Sequence, residues 1–374
     1  MAAWAASPAR FREDANAEDD LALGGYRDRL LVELAQNASD AAGAGGTLCL
    51  SYDGGVLLAA NTGAPLDAAG VAALASLRAS AKRGGGTVGR FGVGFAAVAA
   101  VSDEVVITST TGAVRFSRTR TAQAVAGIAS LAGELAARQG RVPLLRLAWP
   151  AEDGPAGRTE VRVVVRPDSD AAVRALLAGL DPTLLLVLPG LVELDVNGRV
   201  LTAEPAGDDV LLGGVRWRVA RGQGELDPGL LADRPVEERD RTRWEVTWAV
   251  PVDAAGVPEP LPVPAFVRAP TATDDPMSLP AMLAATLPLG PDRRRVLPGA
   301  LTDAVLAAAA DVLAGLVLRL ADTPERLVLV PGPFGGGEVD ARLCAAVLGR
   351  LLDTAFLAGR RPDRAQVLDG ASAA

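Results

Sequence analysis

The sequence predicts an α+β protein of two domains. Two observations lead there. The chain has 374 residues, enough for two domains of ordinary size, each with its own core. Up to about residue 180, helical periodicity mixes with short alternating strands, several in hairpin order, as in a largely antiparallel sheet layered against helices.

Along the chain, residues 1–20 are polar and are expected to form a flexible N-terminus. In "YRDRLLVELAQNASDAAG" (26–43), Leu31, Leu34, Ala38 and Ala42 recur at helical spacing and Gly43 supplies a stop. "TLCLSY" and "GVLLAA" predict two strands joined by a "DGG" turn. "LDAAGVAALASLRAS" predicts a helix with Asp67 near its start. "AKRGGGTVGRFGVG" predicts a loop, and "FAAVAAVS" begins another helix. Strands follow at "EVVITST", "AVRFSRT", "LLRLAWP" and "TEVRVVVR", then a helix at "DAAVRALLAGL". A boundary at "LDPTLLLVLPG" gives a first domain over 21–185 and a second α/β domain over 186–374. Beyond it, "VELDVNGRVLT" predicts a hairpin turning at Asn197-Gly198. In "TRWEVTWAVPV", Trp244, Val246, Trp248 and Val250 share one face, read as core packing. After the Pro-rich "PEPLPVPAFVRAPTATDDP", helices are predicted at "SLPAMLAATL", "ALTDAVLAAAADVLAGLVLRL" and "VDARLCAAVLGRLLDTAFL".

Composition excludes several chemistries. There is no histidine, which removes Ser-His-Asp and Cys-His pairs and the HExxH zinc site. A general base must then be a carboxylate. Cys49 and Cys344 are the only cysteines; both sit in apolar contexts and read as buried free thiols, not a metal cluster. A net charge of −8 with no basic stripe argues against nucleic acid as a partner. No signal-peptide core and no uninterrupted membrane-length apolar run are visible, so a cytoplasmic protein without a membrane partner is expected. Lys82 is the only lysine among 37 basic residues. A composition that writes Arg for Lys makes the exception a pointer to a site needing an ammonium.

Three segments carry candidate chemistry. On the helix containing "ELAQNASDA", Glu33, Asn37 and Asp40 fall within roughly 60° of one another, away from the apolar positions. Taken alone, such a triplet reads as a solvated face. "ANTGAPL" puts Asn61 at a strand exit and Gly63 in the following turn. "GRFGVGF" spaces Gly89, Gly92 and Gly94 as G-x-x-G-x-G before an apolar run, where backbone N–H groups can meet phosphate. It is neither the dinucleotide fingerprint nor a P-loop. "PGPFGGGEVD", also Gly-rich, reads as a connector because nothing around it cooperates.

In this order the three segments resemble the GHKL ATPase superfamily, above all the N-terminal ATP-binding domains of heat shock protein 90 and sacsin-like proteins. The resemblance covers about residues 25–165. It implies a Bergerat ATP-binding fold: a two-layer α/β sandwich, a mixed sheet with helices on one face, the nucleotide held under a lid. It implies Glu33 as the residue that orients and deprotonates water, and Asn37 as the ligand of Mg²⁺. Asp40 would support the helix or the nucleotide, and Gly63 would let the chain approach the adenine. Gly89, Arg90, Phe91, Gly92, Val93, Gly94 and Phe95 would wrap the phosphates, Lys82 would reach them from the lid, and Thr159 of "GRTEVRV" would bond near the base. The sequence departs from the family at Asn61, where the family keeps an aspartate, and at Pro65, where it keeps glycine. Asparagine still accepts a hydrogen bond from the adenine amino group, without charge assistance.

The partners implied are ATP and ADP, an unidentified client protein and, optionally, a second copy of the chain. The expected activity is slow Mg-dependent ATP hydrolysis driving lid closure in a chaperone-like protein. The alternatives are an ATP-dependent interaction module without hydrolysis and, less favoured, a relative of serine kinases and anti-sigma factors. An arginine beyond residue 190, such as Arg268, would complete the site.

Overall fold

A computed structural model describes residues 1–23, 27–76, 94–151, 157–234, 239, 242–269, 272–290, 294–332, 335–357 and 361–362. The chain divides into two units, Met1–Thr202 and Ala203–Ala374. Both are α+β, each built on a mixed sheet.

The first unit opens with helices α1 (Ala2–Ala6), α2 (Pro8–Leu23) and α3 (Leu30–Ala42). Strands β1 (Gly46–Asp53) and β2 (Val56–Asn61) follow, then helix α4 (Ala68–Ser76). A 3₁₀ segment, Gly94–Ala100, leads into β3 (Ser102–Ser109) and β4 (Gly112–Ser117). Helices α5 (Arg118–Ala126) and α6 (Ala132–Ala137), strands β5 (Ala148–Pro150) and β6 (Thr159–Val165), and helices α7 (Asp170–Ala178) and α8 (Leu184–Val187) come next. The hairpin β7 (Leu191–Val196) and β8 (Arg199–Thr202) ends the unit.

The sheet runs β5-β4-β3-β6-β2-β1-β7-β8. Its neighbours are antiparallel except β1 and β7, which are parallel. Period-two patterning assigns the faces. Leu48, Leu50 and Tyr52 of β1 point into the core, while Thr47, Cys49 and Ser51 lie on the more open face. Helix α3 packs on β1, β2 and β7, and the Gly94–Ala100 segment packs against α2, α3 and β3. Cys49 is accordingly half-buried, not buried as its context suggested.

Several expectations are corrected. The stretch 1–20 is helical, not flexible: Trp4, Phe11 and Ala15 turn inward along α1 and α2, with Trp4 edge-on to Phe11 at 5.2 Å. They join Val125, Leu131 and Val142 in a small core of their own. The predicted boundary at 185 falls inside the first unit. The "LLLV" run is the short buried helix α8, and the Asn197-Gly198 hairpin completes the first sheet because β7 pairs with β1. The turn itself is as expected, with φ of 51° at Asn197 and 84° at Gly198, the left-handed pair that two-residue hairpins require. "LLRLAWP" is a strand only over its last three residues, because Leu144 and Leu145 are held in the core by Glu18 instead. "FAAVAAVS" forms the 3₁₀ segment, not an α-helix.

The second unit carries β9 (Glu204–Ala206), β10 (Asp209–Leu212), β11 (Val215–Glu225), β12 (Arg243–Pro251), β13 (Phe266–Arg268), β14 (Ala272–Pro276) and β15 (Met282–Ala285). Helices α9 (Ala300–Val317) and α10 (Glu338–Leu352) follow. The sheet runs β14-β13-β15-β12-β11-β10-β9, with β13 and β15 parallel. "SLPAMLAATL" is thus the interior strand β15, not a helix. Its four residues are all buried between β12 and β13, and Pro280 and Pro288 flank it. Prolines at both ends suit a short buried strand better than a helix. Val246, Trp248 and Val250 enter the core as expected, with Trp244 packed at its edge. The Trp248 indole N–H donates to Ala309 O of α9 at 2.8 Å. Helix α9 is long and apolar enough to span a bilayer, but its apolar positions Leu301, Val305, Leu306, Leu313 and Leu316 are buried in this core.

The buried carboxylate of Glu18 ties α2 to the rest of the first unit. It accepts from the Leu144 and Leu145 amides at 2.6 and 2.9 Å and from Arg118 at 3.3 Å. Burial pushes its carboxyl up from the usual range, and these donors pull it part of the way back. Glu18→Ala leaves two buried amides without an acceptor. We expect a loss of about 2–4 kcal/mol in urea unfolding of the first unit; a loss under about 0.5 kcal/mol would contradict this role.

Candidate functional site

Helix α3 begins after a 3₁₀ turn, Arg27–Arg29, and ends at Gly43, whose φ of 69° stops it. Its buried set is wider than the apolar pattern predicts: Leu30, Leu31, Glu33, Leu34, Ala35, Gln36, Ala38 and Ser39. The Glu33–Asn37–Asp40 face is therefore not a solvated one. Glu33 is 5% exposed, while Asn37 and Asp40 are half-buried.

The reason lies in Gly94. A methyl built on its α-carbon would sit 1.8 Å from Glu33 Oε2 and 2.6 Å from Cδ. The Glu33 carboxylate thus lies directly on the backbone at the start of the 3₁₀ segment. Only a residue without a Cβ admits that approach. Phe95, the next residue, turns into the core, with its ring 6.4 Å from Phe116. Glu33 and Gly94, 61 residues apart in sequence, are brought into contact.

A second convergence joins the β2 exit to the other end of α3. Gly63 adopts φ of 120°, and a Cβ there would meet Ala41 O at 2.4 Å and Ala42 Cα at 2.6 Å. Ala64 N donates to Ala41 O at 2.7 Å. Asn61 is buried and lies opposite Thr159 in the β2–β6 ladder. Its Nδ2 donates to Thr62 O at 3.0 Å, which leaves Oδ1 as the acceptor of the carboxamide. Thr159 Oγ1 lies 3.1 Å from Ser109 Oγ, which also accepts from Leu66 N at 3.1 Å. Thr111 closes the cluster on Leu66 O at 2.5 Å. Ser109 and Thr111 escaped the sequence reading; their only signal is a small polar residue at the end of an apolar strand. Asp67 caps α4 through Gly70 N at 2.7 Å, as its position suggested.

Lys82, Gly89, Arg90, Phe91, Gly92 and Val93 lie outside the described residues. Arg268 is buried in the second unit at the end of β13. Among the described residues no cluster of three or more acidic or cysteine side chains is arranged to hold a metal ion. The Gly-rich 335–337 turn ahead of α10 is already filled. Asp340, fully buried, accepts from Gly336 N at 2.6 Å and Ser278 N at 3.0 Å, so a carboxylate of the chain takes the place an anion would need. Cys344 beside it has its thiol pushed up by burial and by Asp340.

A cavity of about 940 Å³ lies elsewhere in the first unit, lined by α1, α2, the end of α4 and Arg146. Among the described residues, none of the candidate site residues predicted from the sequence lines it. Two of its charged side chains are engaged with each other: Asp14 accepts from Trp4 Nε1 at 2.8 Å and pairs with Arg146 at 3.1 Å. Comparison with known proteins finds no family model that matches the chain and no matching curated protein.

The two glycines make separable predictions. Gly63→Ala meets backbone at an unfavourable φ and should cost about 2–4 kcal/mol in stability. Gly94→Ala meets the end of a side chain and should cost less, about 1–2 kcal/mol, while displacing Glu33. Urea unfolding of the two variants checks the order, and the reverse order would contradict the packing described.

Proposed function

We propose that the chain is an ATP-binding, slowly ATP-hydrolysing protein of the GHKL type, its first unit a Bergerat-like nucleotide domain and its role chaperone-like. The observation that carries this is the contact between the buried Glu33 carboxylate and the Gly94 backbone. It puts the proposed base against the end of the proposed phosphate-wrapping segment. In a protein without histidine, a carboxylate beside a phosphate loop is the group suited to take a proton from water.

The residues fit the group in three further respects. Asn37 stands one turn along α3 from Glu33 and keeps its side chain partly accessible. One amide oxygen is a sufficient protein contribution for Mg²⁺, which prefers oxygen and fills its shell with phosphate and water. Bound there, the ion would offset phosphate charge. Asn61 and Thr159 are register partners at one end of the β2–β6 ladder, and the Asn61 carboxamide oxygen would accept from the exocyclic amino group of a base bound there. Gly63 removes side-chain bulk beside them. Glu33 would orient the water, and Asp40 would support the same helix face.

The test is calorimetry with ATP, ADP and GTP, with and without Mg²⁺, followed by single-turnover hydrolysis. We expect ATP and ADP to bind and Asn37→Ala to lose the Mg²⁺ dependence. Glu33→Ala should keep ATP binding and lose hydrolysis by about 10²–10⁴-fold. Absence of binding by any of the three nucleotides would overturn the proposal. Equal hydrolysis by wild type and Glu33→Ala would leave an ATP-dependent interaction module in its place.

A further inference from the structure

The Gly94–Ala100 segment is a 3₁₀ run of seven residues, all of them buried. Such runs seldom exceed three or four residues, because their hydrogen bonds are poorly aligned. Their last three carbonyls also lack partners within the run. Here each of the three is taken. Val98 O accepts from Val101 N at 3.2 Å. Ala99 O accepts from Arg118 and from Arg166, both at 3.4 Å. Ala100 O accepts from the other terminal nitrogen of Arg166.

The topology delivers both arginines. The segment leads through Val101 into β3. Strands β4 and β6 flank β3 on either side and run antiparallel to it. Both therefore end where β3 begins: Ser117 stands opposite Glu104, and Val165 opposite Ser102. The residue after each strand is an arginine, Arg118 and Arg166. Arg166 is fixed at its backbone, where its N–H donates to Val101 O at 2.8 Å. Asp103 steadies both guanidinium groups, at 3.1 Å from Arg166 and 3.5 Å from Arg118. Arg118 is also committed to the buried Glu18, whereas Asp103 and Asp168, which pair with Arg166, are exposed.

We propose that Arg166 is a positioning residue: it fixes the far end of this segment and so sets Gly94 on the Glu33 carboxylate. The proposal rests on the reading of Glu33 as the group that orients water. With the far end held, the winding decides where Gly94 falls. A residue advances about 2.0 Å in a 3₁₀ run and about 1.5 Å in an α-helix. Rewound as α, seven residues would shorten by roughly 3.5 Å, and Gly94 would leave its contact with Glu33. Without Arg166, Ala100 O loses its guanidinium donor at a buried position, and a buried carbonyl without a donor favours rearrangement. Arginine suits the task because its planar fork spans two successive carbonyls and a carboxylate at once, which a point-like ammonium does not. A displacement of about 1 Å at a reacting group costs on the order of a hundredfold in rate. A side chain at the opposite end of the segment can therefore govern turnover without touching substrate.

The experiment is hydrogen exchange on the full chain, paired with ATP calorimetry and single-turnover hydrolysis. Arg166→Gln should raise exchange of the amides over 94–101 by about tenfold or more, while β1 and β2 exchange as in wild type. Hydrolysis should fall by about tenfold or more with the ATP dissociation constant within about threefold of wild type, and Arg166→Lys should fall between the two. Should Arg166→Gln melt well below wild type, Asp103→Asn keeps both arginines and removes the charge that steadies them. Its effects should run in the same direction at about threefold. Unchanged exchange over 94–101 overturns the anchor, whatever the chain does with ATP. Raised exchange with unaltered hydrolysis overturns the positioning role. So does an equal loss of affinity and rate, since the phosphate contacts are then deformed as a whole. A wild type that binds no nucleotide is a failure of the function proposed above, and the exchange result then decides by itself whether Arg166 holds the segment.

Discussion

The burial of helix α3 is the constraint on which the first unit depends. Most helices at a domain surface keep a polar face in water. This one is covered on both sides, by β1, β2 and β7 beneath and by the 3₁₀ segment Gly94–Ala100 beside it. A carboxylate is carried inside with it. An ionised group in that position is costly unless its surroundings are polar and shaped for it, and the surroundings are shaped by glycine. Gly94 lets Glu33 lie on bare backbone, and Gly63 lets the β2 exit fold over the helix end. Both glycines serve the packing of α3 directly.

A second carboxylate, Glu18, works in the opposite sense. It sits in a closed set of donors, two amides and one arginine, and leaves no opening for chemistry. The contrast separates two uses of a buried acid in one unit. Glu18 fastens the N-terminal helices to the 142–147 loop. Glu33 lies on the Gly94 backbone, one turn of α3 from the half-buried Asn37. The same distinction applies to the turn before α10, where Asp340 fills an anion-sized niche from within and makes it structural.

Much of this was legible in the sequence, and the failures share a cause. Local signals held: the Asp-Gly-Gly and Asn-Gly turns, the Asp67 cap, the Gly43 stop and the tryptophan face of β12 all act within a few residues. Errors came where a partner distant in sequence decides. The α2 pattern of Phe11 and Ala15 is diluted by seven acidic and basic residues, so only the cores it meets at Val125 and Leu131 reveal it. "SLPAMLAATL" has helix-forming composition, but neighbours on both sides make it a strand. The depth of Glu33 could not be read from α3 alone, because the residue that allows it lies 61 positions later. Ser109 gave no signal, since its role depends on a hydroxyl fifty residues away on β6.

The parallel pairing of β1 with β7 has a consequence for how the chain comes to be folded. Thr47 and Glu193 are register neighbours though 146 residues separate them. During synthesis β1 is made early and waits, with one edge of its hydrogen-bonding groups open, until nearly the whole unit has left the ribosome. Closing so long a loop is slow, and an open edge beside Leu48 and Leu50 is a template for other strands. A fragment cut at residue 185 would keep that edge permanently, whereas one ending at Thr202 would carry its own cover.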